Sequence, residues 1–319
     1  MMATAETPRP APHHAPASAE ALAALVRTAG HEGRRLRIHG AGGWLDAGHP
    51  VDATDVVTTM AMTGITAYTP ADLTLSCGAG TTLAELDAAT RAQGQWCPLL
   101  PWGDDAGTVG ATAATATAGP FATRLGQPSA LVLGLECVDG TGRVIQAGGR
   151  VVKNVAGFDL TRLMIGAWGT VGIITQLHLR LRARPPVDRT FVLSAAAAAT
   201  AEVTTFARGP SAPLALLAMD RDATWPSTLG VRPTPTDPSM RRWLVRVGGN
   251  APFVSAAVDA LARLGRLEEM DGATAWPLVR RHAAPRATPD QWRWDPLSLR
   301  LRDRFDPQRV LNPGLLGTV

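Results

Sequence analysis

GRVVKNVAGFDLTRLMIGAWGTVGIIT, residues 149–175, sets a lysine, an asparagine, an aspartate and an arginine in an otherwise apolar run, then follows them with closely spaced glycines. KNVAGFD reads as a loop feeding a helix with Asp159 near its start, and FDLTRLMIGAW turns Leu160, Leu163, Met164 and Trp168 toward a core. Lys153 is placed to pair with Asp159 and anchor the loop, a structural role rather than a catalytic one. GTVGIIT then starts a strand, where Gly169 and Gly172 admit close approach to the backbone and Ile173 and Ile174 flank a heterocycle's edge.

Two other glycine-rich segments stand upstream. GAGGWLDAG, residues 40–48, follows the short strand RRLRIHG, and Gly40, Gly42 and Gly43 allow a turn whose backbone N–H groups point inward as a nest for phosphate. Alone this is a weak signal, since a plain structural turn is the commoner source of such a run, and it is not the G-x-G-x-x-G pattern. PWGDDAGTVGATAATATAGP, residues 101–120, is too small in its side chains to build a core by itself. A low-complexity surface loop is one reading. The length of the run and its lack of charge after Asp105 favour a wall for something broad and flat, with the Thr108 hydroxyl and the Gly107 and Gly110 amides on offer. Three such segments would be wasteful as independent turns. Together they can surround one large, flat, phosphorylated cofactor.

The rest of the chain bounds this reading. Its 319 residues are 45% hydrophobic, enough for a sizeable core. The net charge of +4 is mild, and the arginines fall in short clusters at HEGRRLR, LRLRARPP and SLRLRDR, so the concentrated cationic footprint of a nucleic-acid binder is missing. Cys77, Cys97 and Cys137 have no CxxC spacing and read as small buried hydrophobes in a reducing compartment, not as disulfides or metal ligands. Residues 1–17 lack the basic and apolar regions of a signal peptide and read as a disordered lead; no stretch is long enough to span a membrane.

Helices are expected at 18–30 and at TTLAELDAATRAQG, where Thr82 and Glu85 form a capping box, and LVLGLECVDGTGRVIQAG is a hairpin. TVGIITQLHLRLRARPP reads as one long strand, with Leu177, Leu179 and Leu181 alternating against His178, Arg180 and Arg182. Beyond Pro185 and Pro186 the order strand, helix, strand occurs twice up to about residue 275, a split βαβ layout. The fold class is α+β with mixed sheets. It divides into a lead at 1–17, a main domain at 18–186, a small α+β cap-like domain at 187–290 and a C-terminal segment at 291–319 that returns to the main domain.

From about residue 20 to 184 the chain resembles the FAD-binding domain of the vanillyl-alcohol-oxidase-like (PCMH-type) flavoproteins, and within them the FAD-binding subunit of glycolate oxidases. VVKNVAGFDLTRLMIGAWGTVGIIT carries most of the likeness, with PADLTLSCGAGTTLAELDAATRAQGQWCPLLP and the terminal DPQRVLNPG, residues 306–314. The resemblance implies a PCMH-type two-subdomain FAD-binding fold with a small α+β C-terminal domain. It implies that Gly40, Ala41, Gly42 and Gly43 wrap the pyrophosphate of FAD, and that Thr108, Val109 and Gly110, then Gly119 and Pro120, line the flavin and its ribityl chain. Gly169, Gly172 and Ile174 would lie by the pyrophosphate and adenine. Relatives that tether FAD covalently through the first loop place a histidine after its glycines; Trp44 stands there, so non-covalent FAD is implied. Gly110-Ala111 replaces the Gly-Gly pair of many relatives.

Oxidising a 2-hydroxy acid needs a cation for the carboxylate, a base for the hydroxyl proton and a flavin to take the hydride. Relatives that do this alone have a larger cap with histidines and an arginine at the substrate, whereas residues 187–290 are few and contain one histidine, His282. His282, with Arg281 and Arg286 nearby, sits in a polar, proline-bounded stretch that reads as a loop. His178 reads as a surface or interface residue and His39 as a spectator beside the first loop. No catalytic residue is assigned, and no metal site. The resemblance implies an FAD-binding subunit of a glycolate (2-hydroxy acid) oxidase complex that supports oxidation of glycolate to glyoxylate. A partner catalytic flavoprotein subunit would hold most of the substrate site, and an iron–sulfur subunit would carry electrons onward. Such a chain would be cytoplasmic and meet the inner membrane only through the complex. The alternatives are a self-contained FAD-dependent oxidoreductase with a small cap, and a non-catalytic scaffold with a degenerate flavin site, for which Trp44 and Ala111 speak. Trp292 and Trp294 either pack a partner or seal the core.

Overall fold

Strand β1 (His13–His14), helix α1 (Ala19–His31), and strands β2 (Leu36–His39) and β3 (Asp55–Thr58) open the chain. The structure is a computed structural model that describes residues 11–149, 159–219, 229, 237, 239–282 and 294–317. α1 forms because Leu22, Ala23, Val26 and Ala29 recur on one buried face, and Ser18 caps it by accepting from the Ala21 N–H. The three strands make a parallel sheet in the order β1-β3-β2. Residues 11–17 are thus not wholly a loose lead: His13 and His14 pair with Val56 and Val57, and His14 Nε2 lies 2.9 Å from the buried Asp55 carboxylate, which also pairs with Arg34. Burial pushes the Asp55 carboxyl up, but the His14 and Arg34 contacts outweigh it and hold the group below its ordinary range.

A second, antiparallel sheet follows. Its strands are β4 (Ile65–Thr69) and β5 (Thr74–Gly78), then β7 (Val132–Val138), β8 (Val144–Gly148) and β9 (Ile173–Arg180), in the order β4-β5-β9-β7-β8; the short pair β6 (Gln95–Trp96) and β10 (Arg182–Ala183) lies apart from it. Leu75, Cys77, Leu135, Leu177 and Leu179 share one fully buried core with Val109 and Met164. Helix α2 (Leu83–Arg91) carries the expected capping box. Helix α3 (Val109–Thr115) lies within the run expected to be a ligand wall, and α4 (Ala122–Leu125) and α5 (Pro128–Leu131) follow it. The alternating Leu177, Leu179 and Leu181 are buried, yet the long strand breaks after Arg180, where the Leu181 N–H turns to the Leu73 carbonyl.

Helix α6 (Leu160–Met164) is shorter than its pattern suggests. Asp159 caps it by accepting from the Arg162 N–H and pairs with the Arg162 side chain at 2.9 Å; Lys153, its expected partner, lies outside the described residues. The chain then leaves the helix through Gly166 and Trp168, both at positive φ. Trp168 therefore joins a separate cluster with Trp44, Leu315 and Leu316, while Met164 stays in the sheet core.

Strand β11 (Val187–Ala196) begins directly after the double proline, followed by α7 (Thr200–Arg208), β12 (Ala215–Ala218), β13 (Met240–Gly249), α8 (Ala251–Leu264) and β14 (Arg266–Met270). The four strands form an antiparallel sheet in the order β12-β13-β11-β14, the split βαβ arrangement. Period-two alternation makes both faces apolar. Leu193, Val245 and Val247 meet Val203 of α7 and Val254 and Leu261 of α8. Val192 and Leu244 meet Ala275, Trp276 and Val279 of α9 (Gly272–His282), together with Trp96 and Phe121. Phe121 fixes that junction, with ring centroids 6.2 Å from Trp96 and 5.2 Å from Trp276.

After α10 (Pro296–Phe305) the tail returns to β2. The Leu36 N–H donates to the Val310 carbonyl, the Asn312 N–H donates to the Leu36 carbonyl, and the buried Asp306 carboxylate accepts the Val310 and Leu311 N–H groups at 2.9 and 3.0 Å. Asp306→Ala strands two buried donors and is expected to cost roughly 2–4 kcal/mol, read as a lowered denaturation midpoint. Burial pushes the thiols of Cys77, Cys97 and Cys137 up to about 12. A thiol reagent at pH 8 is expected to label none of them in the folded chain and all of them once it is denatured.

Candidate functional site

β2 delivers the chain into the loop of Gly40–Gly48, and Gly42 takes a φ of 87° that only glycine adopts freely. Among the described residues, the N–H groups of Ala41, Gly42 and Gly43 find no hydrogen-bond acceptor. The loop forms one wall of a cavity of about 300 Å³. Ten of the thirteen residues assigned from the sequence line it: Gly40, Ala41, Gly42, Gly43 and Trp44; Thr108 and Gly110 at the start of α3; and Gly169, Gly172 and Ile174 at the start of β9.

Val109, Gly119 and Pro120 do not line it. Val109 is fully buried in the core beneath the second sheet. Gly119 is required by packing, because a Cβ there would overlap the Leu100 carbonyl oxygen, and the half-buried Pro120 follows it into the Phe121 junction. The chemistry foreseen for residues 101–120 is also redistributed. The Thr108 hydroxyl accepts from the Ala111 N–H as the cap of α3. The Gly110 N–H donates to the Ala79 carbonyl and the Gly107 N–H to the Asp104 carbonyl, so neither amide is open. Gly40 and Gly110 are small because a Cβ would strike Thr108 and Ala79 respectively. The run is both a packed helix and, through Ala111, Thr112, Ala114 and Thr115, a cavity wall.

Other lining groups emerge only in three dimensions. The buried Asn312 accepts the Ile38 N–H at 2.8 Å and donates to the Trp168 carbonyl at 2.9 Å, joining β2 to the turn before β9. Trp44 and Trp168 meet edge to face at 5.5 Å. Arg37 reaches the cavity from β2, and burial lowers its pKa. His39 also lines it, its Nδ1 lying 2.7 Å from the Gly40 carbonyl.

The rim is set by α9. Arg280 is buried and donates to the Pro101 carbonyl at 2.8 Å and to Asp105 at 2.7 Å, while the Gly103 N–H returns to the Arg280 carbonyl. Arg281 lines the cavity, half exposed, and pairs with Asp104 at 3.0 Å. His282 is exposed at the end of α9 and does not line the cavity, and Arg286 lies outside the described residues. His178 is half-buried, its Nδ1 2.7 Å from the Ser76 hydroxyl. Trp294 packs within the tail cluster, donates to the Gly317 carbonyl and carries Arg302 over its ring; Trp292 lies outside the described residues. Among the described residues no cluster of three or more acidic, histidine or cysteine side chains could hold a metal, and no helix is long and apolar enough to cross a membrane.

In this mixed fold, glycine-lined walls from three distant segments of the chain thus surround one cleft. Residues 10–148 match the family described as FAD binding domain, a PCMH-type domain whose cofactor is FAD. The glycolate oxidase subunit GlcE of Escherichia coli (strain K12) is 38% identical over 124 residues, 38% of this chain and 35% of that protein. The D-lactate dehydrogenase of Archaeoglobus fulgidus is 34% identical over 167 residues, 52% of this chain and 37% of that one. The chain thus matches little more than a third of the length of these relatives. The solved structure of an alkyldihydroxyacetonephosphate synthase shares the fold with a TM-score of 0.68 at 18% identity, over 83% of this chain and 53% of that one.

The residues present fit FAD. The cleft offers open amides in a row, a cationic nitrogen closed from solvent, and apolar walls of Ile174, Leu315 and Ala114. The two arginines of the rim differ in kind. Arg280→Met removes buried hydrogen bonds and is expected to cost roughly 1–3 kcal/mol, whereas Arg281→Met breaks an exposed pair and should stay within about 0.5 kcal/mol, both read by chemical denaturation.

Proposed function

We propose that this chain is the FAD-binding subunit of a 2-hydroxy-acid oxidoreductase acting on glycolate or a close analogue, with FAD held non-covalently in the cleft. The single observation that carries the reading is that glycine segments from three distant parts of the sequence meet in one cavity with open amides on one wall. In this reading the Ala41, Gly42 and Gly43 amides hold the diphosphate, and Gly110, Gly169 and Gly172 let the cofactor lie against backbone. Bound FAD supplies the hydride acceptor. Trp44, at the position where covalent relatives carry histidine, has no nucleophile to offer a flavin ring, which supports a non-covalent cofactor.

The subunit role rests on what reaches the cleft from the second half of the chain. Of the described residues between 187 and 282, Arg281 alone lines it, and it arrives paired with Asp104. Asp104 already takes the charge of that one cation, so among the described residues the second half of the chain brings the cleft neither a free carboxylate clamp nor a base of its own. In this reading, which the likeness to a glycolate oxidase subunit supports, a catalytic flavoprotein partner would hold most of the site that oxidises glycolate to glyoxylate and an iron–sulfur partner would carry the electrons onward; any membrane contact would run through that assembly. Arg281 also favours a second reading, in which this chain holds a substrate carboxylate at its own rim and turns over alone.

The visible spectrum of the purified chain tests the proposal. Flavin bands near stoichiometric occupancy are expected, with the pigment freed into the supernatant on acid precipitation and no glycolate-dependent dye reduction by the single chain. Pigment held on the precipitate would overturn the non-covalent assignment, and steady turnover by the chain alone would favour the second reading.

A further inference from the structure

We propose that Arg37 is the counter-charge for the diphosphate of FAD, reaching it from β2 beside the open amides of the first glycine loop. The assignment rests on the FAD reading and adds to it a specific cation. Arg37 lines the cleft, and its Nη1 is closed off from solvent with no hydrogen-bond partner among the described residues; Nη2 donates to the Leu45 carbonyl at 3.2 Å. Its sequence neighbours are settled differently: Arg34 pairs with Asp55 and Glu32, and Arg35 with Asp52. Among the described residues no carboxylate pairs with Arg37. The two arginines of the α9 rim meet carboxylates, Arg280 that of Asp105 and Arg281 that of Asp104, and Arg280, whose Nη2 is also without a partner, does not line the cleft.

A guanidinium nitrogen taken from water and given no acceptor is destabilising, and burial depresses this one's affinity for its proton. An anion in the cleft removes the penalty, and a phosphate presents oxygens that suit the planar fork of arginine. The position favours the diphosphate over a substrate carboxylate. Arg37 stands on β2, the strand that ends at His39 and runs straight on into Gly40, Ala41 and Gly42. Its bond to the Leu45 carbonyl holds it against that same loop, whose amides await an anion.

Cofactor-free wild type, Arg37→Met and Arg37→Lys, titrated with FAD and with riboflavin by flavin fluorescence, test this. Arg37→Met is expected to weaken FAD by about tenfold or more while riboflavin, which has no phosphate, changes by less than about twofold; Arg37→Lys should recover part of the loss. The cofactor-free Arg37→Met chain should melt no lower than wild type, because a half-buried guanidinium with one closed-off nitrogen has gone. Equal FAD affinity in wild type and Arg37→Met would overturn the assignment, as would parallel loss of FAD and riboflavin or a lower melting temperature without cofactor. In the first of these outcomes FAD binding itself stands; a wild-type chain that binds neither flavin would bring down the FAD reading as well.

Discussion

The amide of Asn312 is the link on which the cleft depends. Its carbonyl oxygen holds the Ile38 N–H near the end of β2, and its nitrogen holds the Trp168 carbonyl just ahead of Gly169. Two walls of the cavity, far apart in sequence, are thereby fixed to one buried side chain contributed by the tail. Asp306 in turn fixes the tail by taking the Val310 and Leu311 N–H groups. Each of these is a buried polar contact whose loss leaves a donor or acceptor stranded, a penalty of about 1–3 kcal/mol per group. The exposed ion pairs that decorate the surface are each worth about 1 kcal/mol or less. The geometry of the cleft is therefore set by a few buried polar groups, Asn312, Asp306 and the Arg280 guanidinium at the rim, not by the more numerous exposed charges.

Glycine serves two distinct ends around the cavity. At Gly42 and Gly169 the backbone lies at φ values of 87° and 68°, which a side chain would strain. At Gly110 and Gly119 the backbone is ordinary, but carbonyls of Ala79 and Leu100 occupy the space of a Cβ. The second group brings chain segments together so that the cavity has thin walls, and the first turns the chain around the ligand. Ala111 lies on the cavity face of α3 rather than in a crowded contact of that sort, so a methyl there narrows the cleft without obstructing the fold.

The sequence was most legible where period and punctuation agree. The capping box at Thr82 and Glu85, the DGTG hairpin and the strand–helix rhythm after Pro186 all rest on local chemistry, and the elements formed where that chemistry points; the Leu177–Leu181 alternation marked the buried face but not the break after Arg180. Three things were hidden. The length of α6 depends on Trp168 leaving for the Trp44 cluster, a tertiary preference that its helical spacing conceals. The Gly107 and Gly110 amides look open in sequence, but Asp104 and Ala79 carbonyls take them. Asn312 and Arg37 stand out only when the partners of every neighbouring polar group are known, since nothing in LNPG or LRIHG distinguishes them from surface residues.

The cations of the cleft differ in how they are satisfied, and this bears on what each can do. At the α9 rim Arg280 and Arg281 each meet an aspartate, so an incoming anion there must compete with a partner already in place. On the β2 side Arg37 has no such partner among the described residues, and it shares that wall with N–H groups that also lack acceptors. A ligand carrying its charge toward that wall gains from both at once, without displacing anything. Binding there would also stabilise the folded chain in proportion to its occupancy. In the proposed reading, the arginine without a carboxylate partner among the described residues serves to retain a charged cofactor, while the paired rim serves a smaller anion that is held and released.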